Sequence, residues 1–480
     1  DKYYAEIDKK IKKEFDKNPK KLYEERKANL KRLNRDLNFL RVKKYLEDDE
    51  YIFGFATNGK LIFVLKKDAP DSENGVVKYL YDNQSLKEIG YVEGKKLNFS
   101  GKVQFFDEEG VLRSETQHYK GKLEGLEKIF SEDGKLEEER VYKNDLIDGE
   151  EIYYYDNGKI AQKNQYIAGK KDGKSIIYHK NGNISIEINY RNDKKDGEYI
   201  AYYENGKKKQ EGYLKNGELD GITKIYYESG KIRQIAHNKN DKKDGTIVRY
   251  YENGNPEHEW NYKNDILEGV DLEYYESGKV KTRMFYKDGK AQGEILSFYE
   301  NGRIKEKAYY KDDMFEGKFT TYFKDSKIEE EYNYKDGKLE GEYRIYYENG
   351  NLQEVGNYKD NKLEGKSLTY YESGKLDGEF NYTQDELNGS YKNYYENGNL
   401  KRSGVYKNGE IEGEAFFYLE DGQIGEKAFF IDGKVEGDYL FYDKTGKIIK
   451  KETYKNGNLL STEEFEKVEE DKNESEGIKN

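Results

Sequence analysis

The sequence predicts an all-β fold: an elongated array of antiparallel β-hairpins, building a single twisted sheet, with a helical N-terminal cap. Three observations carry this. Glycine stands at 101, 125, 149, 173, 197, 221, 245, 269, 293, 317, 341, 365, 389, 413 and 437, each step being 24 residues without an insertion. Five residues after each of these glycines the residue is a ring, from Phe106 and Phe130 through Tyr154 to Tyr442. Nine residues after them stands a second glycine series, broken only by Ser326, and most of its members close Glu-Asn-Gly, Glu-Ser-Gly or Glu-Asp-Gly triplets. Such a triplet between two apolar runs is a hairpin signal, because Asn and Gly tolerate the positive φ of a tight turn.

Each repeat supplies two strands. The first runs from the leading glycine to the ring. The second carries an aliphatic residue at position 11, as in Leu352, Leu376 and Leu400, and another ring at position 17, as in Tyr358, Tyr382 and Tyr406, counting the leading glycine as position 0. Position 15 is often small or apolar, as in Gly212, Ala236, Gly356, Gly404 and Ala428, and positions 11, 15 and 17 share parity, which buries one face of this strand. The connection to the next repeat, Lys359-Asp360-Asn361-Lys362-Leu363-Glu364, reads as a looser polar turn whose single apolar residue folds back on the sheet. At about 4.8 Å per strand, fifteen two-strand repeats stack to roughly 140 Å, each stabilised mainly by its neighbours.

The unit Gly341-Glu342-Tyr343-Arg344-Ile345-Tyr346-Tyr347-Glu348-Asn349-Gly350-Asn351-Leu352, closed by Tyr358 to Gly365, resembles the variant MORN repeat of bacterial proteins, in the subtype labelled antitoxin-like. The resemblance spans about residues 77–458. It implies 24-residue MORN-type hairpins used for binding and scaffolding, in proteins that are frequently exported or surface-associated, and it carries over no catalytic residue.

The chain divides into a helical segment at 1–48, degenerate lead-in hairpins at 49–100, the fifteen repeats at 101–460 and an acidic, disordered tail at 461–480. Residues 1–48 hold 16 Lys or Arg against 10 Asp or Glu, and place Ile7, Ile11 and Phe15, then Leu30, Leu33, Leu37 and Leu40, at helical spacing on either side of Pro19. Two amphipathic helices result, read as a cover for the first strand of the array, as a docking or coiled-coil helix, or as a basic membrane contact. In 49–100, Tyr51–Phe55 and Leu61–Leu65 flank Asn58-Gly59 as a hairpin, and Tyr79–Asn83 falls one residue out of phase.

Composition excludes several functions. No cysteine is present, which removes disulfides, thiolate nucleophiles and thiolate metal sites. A net charge of −12 argues against nucleic acid as the partner of the whole chain, and no stretch of about 20 apolar residues offers a transmembrane segment. Gly173-Lys174-Ser175 and Gly365-Lys366-Ser367 resemble the end of a phosphate loop, but Ala168 and Asp360 stand where its first glycine belongs. His118, His179, His237 and His258 are scattered across the repeat without metal-binding spacing. No cofactor, metal or catalytic residue is expected.

Tyrosine invites a binding role. Where rings are paired at positions 5 and 6, strand alternation exposes the second if the first is buried, which defines a stripe of Tyr203, Tyr227, Tyr251, Tyr275, Tyr347, Tyr371 and Tyr395. These rings either bind a partner or merely cover one another across strands. The expected function is a non-catalytic scaffold engaging a protein or glycan partner, exported or at the cell surface, host adhesion or invasion being one such role. The chain opens on Asp1 without an initiator Met, read as a removed signal peptide or a trimmed end. The alternative is an intracellular antitoxin-like protein that neutralises a partner, with oligomeric state open.

Overall fold

The computed structural model describes residues 2–15, 17–27, 31–33, 44–94 and 96–465. The chain forms two compact units, Asp1–Lys243 and Asp244–Asn480. Each is built on antiparallel β-strands paired in sequence order, so the all-β hairpin array read from the sequence is the observed architecture.

In the second unit the repeat beginning at Gly341 shows the plan. Strand Gly341–Tyr346 turns into strand Leu352–Lys359, with Gly341 opposite Tyr358 and Tyr343 opposite Gly356. The turn between them is made by Tyr347 N–H donating to Asn351 O (2.9 Å) and Gly350 N–H donating to Tyr347 O (2.8 Å). Gly350 alone takes positive φ, at 94°, the left-handed place that lets a three-residue loop match strand twist. Asn349 does not share that conformation: its Oδ1 accepts from Asn351 N–H at 2.8 Å and its Nδ2 donates to Glu372 O of the next repeat at 2.8 Å. Asparagine is therefore a bracket between repeats rather than a left-handed turn residue.

The second connection is tight, not loose. Lys359 pairs with Lys362 across a two-residue loop in which Asp360 and Asn361 have φ of 49° and 71°, the mirror-image turn that suits twisted strands. Leu363 then sits in a short strand, Lys362–Leu363, opposite Tyr358, and a bulge at Gly365 (φ 83°) feeds the next long strand. A further register shift between Ile345 and Tyr346 leaves residue 353 without a partner. It breaks the alternation, so position 11 does not share a face with positions 15 and 17.

The two faces differ. On the first, positions 2, 15 and 17 stack rings: Tyr343 lies 4.9 Å from Tyr358 and 6.0 Å from Tyr332, and Tyr391 lies 4.6 Å from Tyr406. Glycine at position 15 makes room for these rings, since a Cβ on Gly356 would stand 2.7 Å from the Tyr343 ring. In the first unit part of this face is polar instead: Arg140 clasps Glu138 at 2.6 and 2.8 Å, Asn164 donates to Glu151 at 2.9 Å, and Ser175 donates to Asn164 at 2.6 Å. Buried polar groups are tolerated because they satisfy one another.

The N-terminal cap is observed, with a different seat from the one expected. Helix α1, Lys2–Phe15, buries Ile7 and Ile11 against Val76, Ile89, Tyr91 and Phe106. Helix α2, Pro19–Arg26, begins where Asn18 Oδ1 accepts from Lys21 N–H at 2.9 Å, and its Tyr23 packs edge-on to Phe53 and Phe55. Both cover a face of the sheet rather than its first strand. The second helix ends at Arg26, and Leu33, placed on a helix by its spacing, lies in strand Lys31–Leu33, paired with Lys44–Glu47. Leu30, Leu37 and Leu40 lie outside the described residues.

The lead-in hairpins keep the repeat register. Gly75 opposite Val92, Val77 opposite Gly90 and Leu80 opposite Leu86 match Gly101 opposite His118, Val103 opposite Thr116 and Phe106 opposite Leu112. Gly75 is thus a leading glycine twenty-six residues before Gly101. The phase slips through two extra residues near Gly94–Leu97, not through one missing residue. At the other end, residues 461–464 belong to strand Asn458–Glu464, while 466–480 lie outside the described residues.

Candidate binding surface

The second face of the sheet is organised by cross-strand charge. Lys102 meets Glu115 at 3.0 Å, Lys174 meets Glu187 at 2.9 Å, Lys366 meets Glu379 at 2.6 Å, and Lys427 meets Glu414 at 2.7 Å. The rings at position 5 add to this face, with Tyr226 donating to Glu211 at 2.5 Å and Tyr394 donating to Glu379 at 2.8 Å. Burial, then these carboxylates, push both hydroxyls up to about 12. Lys208, followed by Tyr226, pulls the Glu211 carboxyl down to about 2. Lys174 and Lys366, the lysines of the phosphate-loop resemblance, are held in these pairs.

The tyrosines at position 6 are placed differently from the exposed stripe that alternation suggests. All seven are half-buried. Position 6 begins the turn, just beyond the register shift, so its ring leans onto the next repeat. Tyr203 donates to Tyr226 O (2.8 Å), Tyr251 to Tyr274 O (2.9 Å), Tyr275 to Phe298 O (2.6 Å), Tyr347 to Tyr370 O (2.8 Å), Tyr371 to Tyr394 O (2.7 Å) and Tyr395 to Tyr418 O (2.7 Å). The bulged residue at position 12 crosses several of the rings: Lys209 over Tyr203 at 5.9 Å, Arg233 over Tyr227 at 5.8 Å, and Lys401 over Tyr395 at 5.4 Å. Burial and the neighbouring Asp377 push the Tyr371 hydroxyl up to about 12. These side chains bind successive repeats together.

Exposed apolar side chains stand elsewhere on the second face, at position 16: Tyr213, Phe285, Tyr309, Val405 and Phe429. In five repeats this position is asparagine (189, 261, 333, 357 and 381), and its Nδ2 donates to a neighbouring strand carbonyl, as Asn261 to Val270 O (2.7 Å), Asn333 to Glu342 O (2.7 Å) and Asn381 to Ser390 O (2.6 Å). Replacing that amide with a ring or a valine removes the bond and leaves apolar surface. The signal is legible as a departure from the repeat rather than as part of it. Among the described residues no group of three or more His, Cys, Asp or Glu could hold a metal ion. His258 instead bonds Asp271 at 2.6 Å and stacks on Trp260 at 4.0 Å within the first face.

The architecture defines a class, an open hairpin-repeat array with one ring-lined face and one charge-paired face. The chain belongs to the family described as MORN repeat variant, which matches at 99–120, 123–144, 147–168, 171–192, 195–216, 219–240, 243–264, 267–288, 291–312, 315–336, 339–360, 363–384, 387–408 and 435–456. The hairpin Gly413–Tyr418 and Ile424–Ile431, between the last two matches, keeps the same register although its sequence departs from the pattern, with Leu419 at position 6. Repeats of this kind fit a scaffold or binding role. None of the curated proteins matches the sequence. Solved structures it is similar to include TcdB2-TccC3-Cdc42 (11% identity, TM-score 0.14, 85% of this chain and 27% of that one) and a Tc holotoxin pore of Photorhabdus luminescens (12%, 0.14, 85% and 27%). The chain spans about a quarter of the length of these proteins.

Proposed function

We propose that the chain is a non-catalytic binding scaffold, exported or surface-associated, that holds a protein or glycan partner on the second face of its sheet. The observation that carries this reading is the exposure of Phe285, Tyr309, Val405 and Phe429 on a face that also carries the ion pairs Lys307–Glu294 and Lys427–Glu414. Apolar surface framed by polar residues is the usual mark of an interaction site. The antiparallel register repeats this face hairpin after hairpin, so one partner can contact several repeats. The family's frequent association with export supports the location.

Protease treatment of intact producing cells tests the location, probing for the chain before and after. Loss of the chain from intact cells is expected. Complete protection, with recovery in the cytosol, sinks the exported reading and favours an intracellular partner instead. Partner capture by the full chain, compared with a variant carrying serine at 285, 309, 405 and 429, tests the surface. Equal capture by both forms removes this face from the interaction.

A further inference from the structure

Within the first unit, one stretch of the second face is already occupied. Counting Gly75 as the leading glycine, Val76, Ile89 and Tyr91 stand at positions 1, 14 and 16, and α1 covers them with Ile7 and Ile11. They are 4%, 0% and 5% exposed, whereas Phe285, Tyr309, Val405 and Phe429 are 37–44% exposed at position 16. The helix runs across the strands. Ile7 lies against Gly101 in strand Asn98–Phe106, Lys10 sits 4.9 Å from the Tyr91 ring in strand Leu86–Glu93, and the Lys17 carbonyl accepts from Lys78 in strand Gly75–Leu80 at 2.5 Å. Lys10 also pairs with Asp68 at 2.9 Å.

In the second unit two exposed clusters stand at positions 1 and 16 of the same face, with a carboxylate at position 1 where the α1 seat has Val76. Glu294 stands opposite Tyr309 and beside Phe285, and Glu414 stands opposite Phe429 and beside Val405. Each cluster is an apolar residue, a carboxylate and a second apolar residue on three successive long strands. Lys307 and Lys427, at position 14, hold the carboxylates at 2.6 and 2.7 Å. The apolar pair is two strands apart, about 9.6 Å. Residues i and i+7 of an α-helix are separated by about 10.5 Å, so a helix lying across the strands sets one apolar side chain on each. A lysine midway, at i+3 or i+4, reaches the carboxylate and a ring face, as Lys10 reaches Asp68 and Tyr91.

Resting on the scaffold reading, we propose that Phe285–Glu294–Tyr309 and Val405–Glu414–Phe429 are two seats for a basic amphipathic helix of a partner protein, laid across the strands as α1 is. The occupant carries apolar residues at i and i+7 with lysine between them. The two seats are five repeats apart and identical in register, so a partner with two such helices engages both.

The test uses a labelled helical peptide with leucine at i and i+7 and lysine at i+3 and i+4, and a scrambled peptide of the same composition. Each is titrated against the full chain and against Phe285→Ser/Tyr309→Ser, Val405→Ser/Phe429→Ser and the combined variant, with circular dichroism confirming that all are folded. Saturable binding of the patterned peptide is expected, weakened at least tenfold in the combined variant and absent for the scrambled peptide. No binding, or equal binding to the combined variant, overturns the seats. A wild-type dimer abolished by the same substitutions overturns the partner protein in favour of a second copy. Capture of a protein or glycan that the combined variant retains in full overturns the seats while leaving the scaffold reading standing.

Discussion

Removing three hydroxyls tests whether the position 6 tyrosines hold the array together. In Tyr347→Phe, Tyr371→Phe and Tyr395→Phe every ring stays, and only the bonds to Tyr370 O, Tyr394 O and Tyr418 O are lost, at 2.8, 2.7 and 2.7 Å in the native protein. A net hydrogen bond of this kind contributes about 1 kcal/mol, and water reaches these half-buried sites well enough to limit the residual cost. The three bonds lie in successive repeats and share no partner, so the combined loss is about 3 kcal/mol. Repeat arrays need not unfold in one step, which makes a single melting midpoint a poor measure. Native-state hydrogen exchange reads the effect locally, on strands Leu352–Lys359, Leu376–Thr383 and Leu400–Lys407. About fivefold less protection is expected per lost bond, with the first unit unchanged. Protection within twofold of wild type in all three strands would refute the stapling role and return these rings to the list of binding residues.

Ser326 occupies the second-glycine place with φ of 75°, and Ser326→Gly relieves a left-handed serine, so the hairpin at 317–335 gains about 1 kcal/mol, visible as increased exchange protection there. Gly356→Ala places a methyl 2.7 Å from the Tyr343 ring and costs about 1–3 kcal/mol in urea unfolding; Tyr343→Ala in the same chain removes the clash, so the double change costs less than the sum. At alkaline pH, Tyr226 and Tyr394 hold their protons up to about 12 in the folded state against about 10 unfolded. Their contribution is complete below pH of about 10 and is lost as pH rises toward 12, so circular dichroism and tyrosinate absorbance should change together in that window. Glu211 behaves in the opposite sense, with a folded value of about 2 against about 4.3 unfolded; its contribution is lost as pH falls through that interval, and Glu211→Gln flattens the acid limb.

Periodicity made the array readable. The leading glycines, the rings at position 5 and the second glycine each recur at a fixed step, and each reports a local backbone demand that one residue type meets. A scaffold or binding role was also legible, through the resemblance carried by the repeat unit. The placement of the position 6 rings was not. Alternation from position 5 to position 6 assumes an unbroken strand, and the register shift before Tyr346 and the turn starting at Tyr347 break it.

The sequence by itself determined the repeat, the places of its two turns and the rings that line it, because those rest on φ preferences and on contacts a few residues apart; the tightness of the second turn came from the structure. Tertiary structure decided which rings are free. Tyr347 is engaged by the carbonyl of Tyr370 and Ile7 by Gly101, while Phe285 meets no such cover, and those pairings join residues 23 or more positions apart. Exposure is a property of what lies across the strand and above the sheet, and no pattern within one repeat records it.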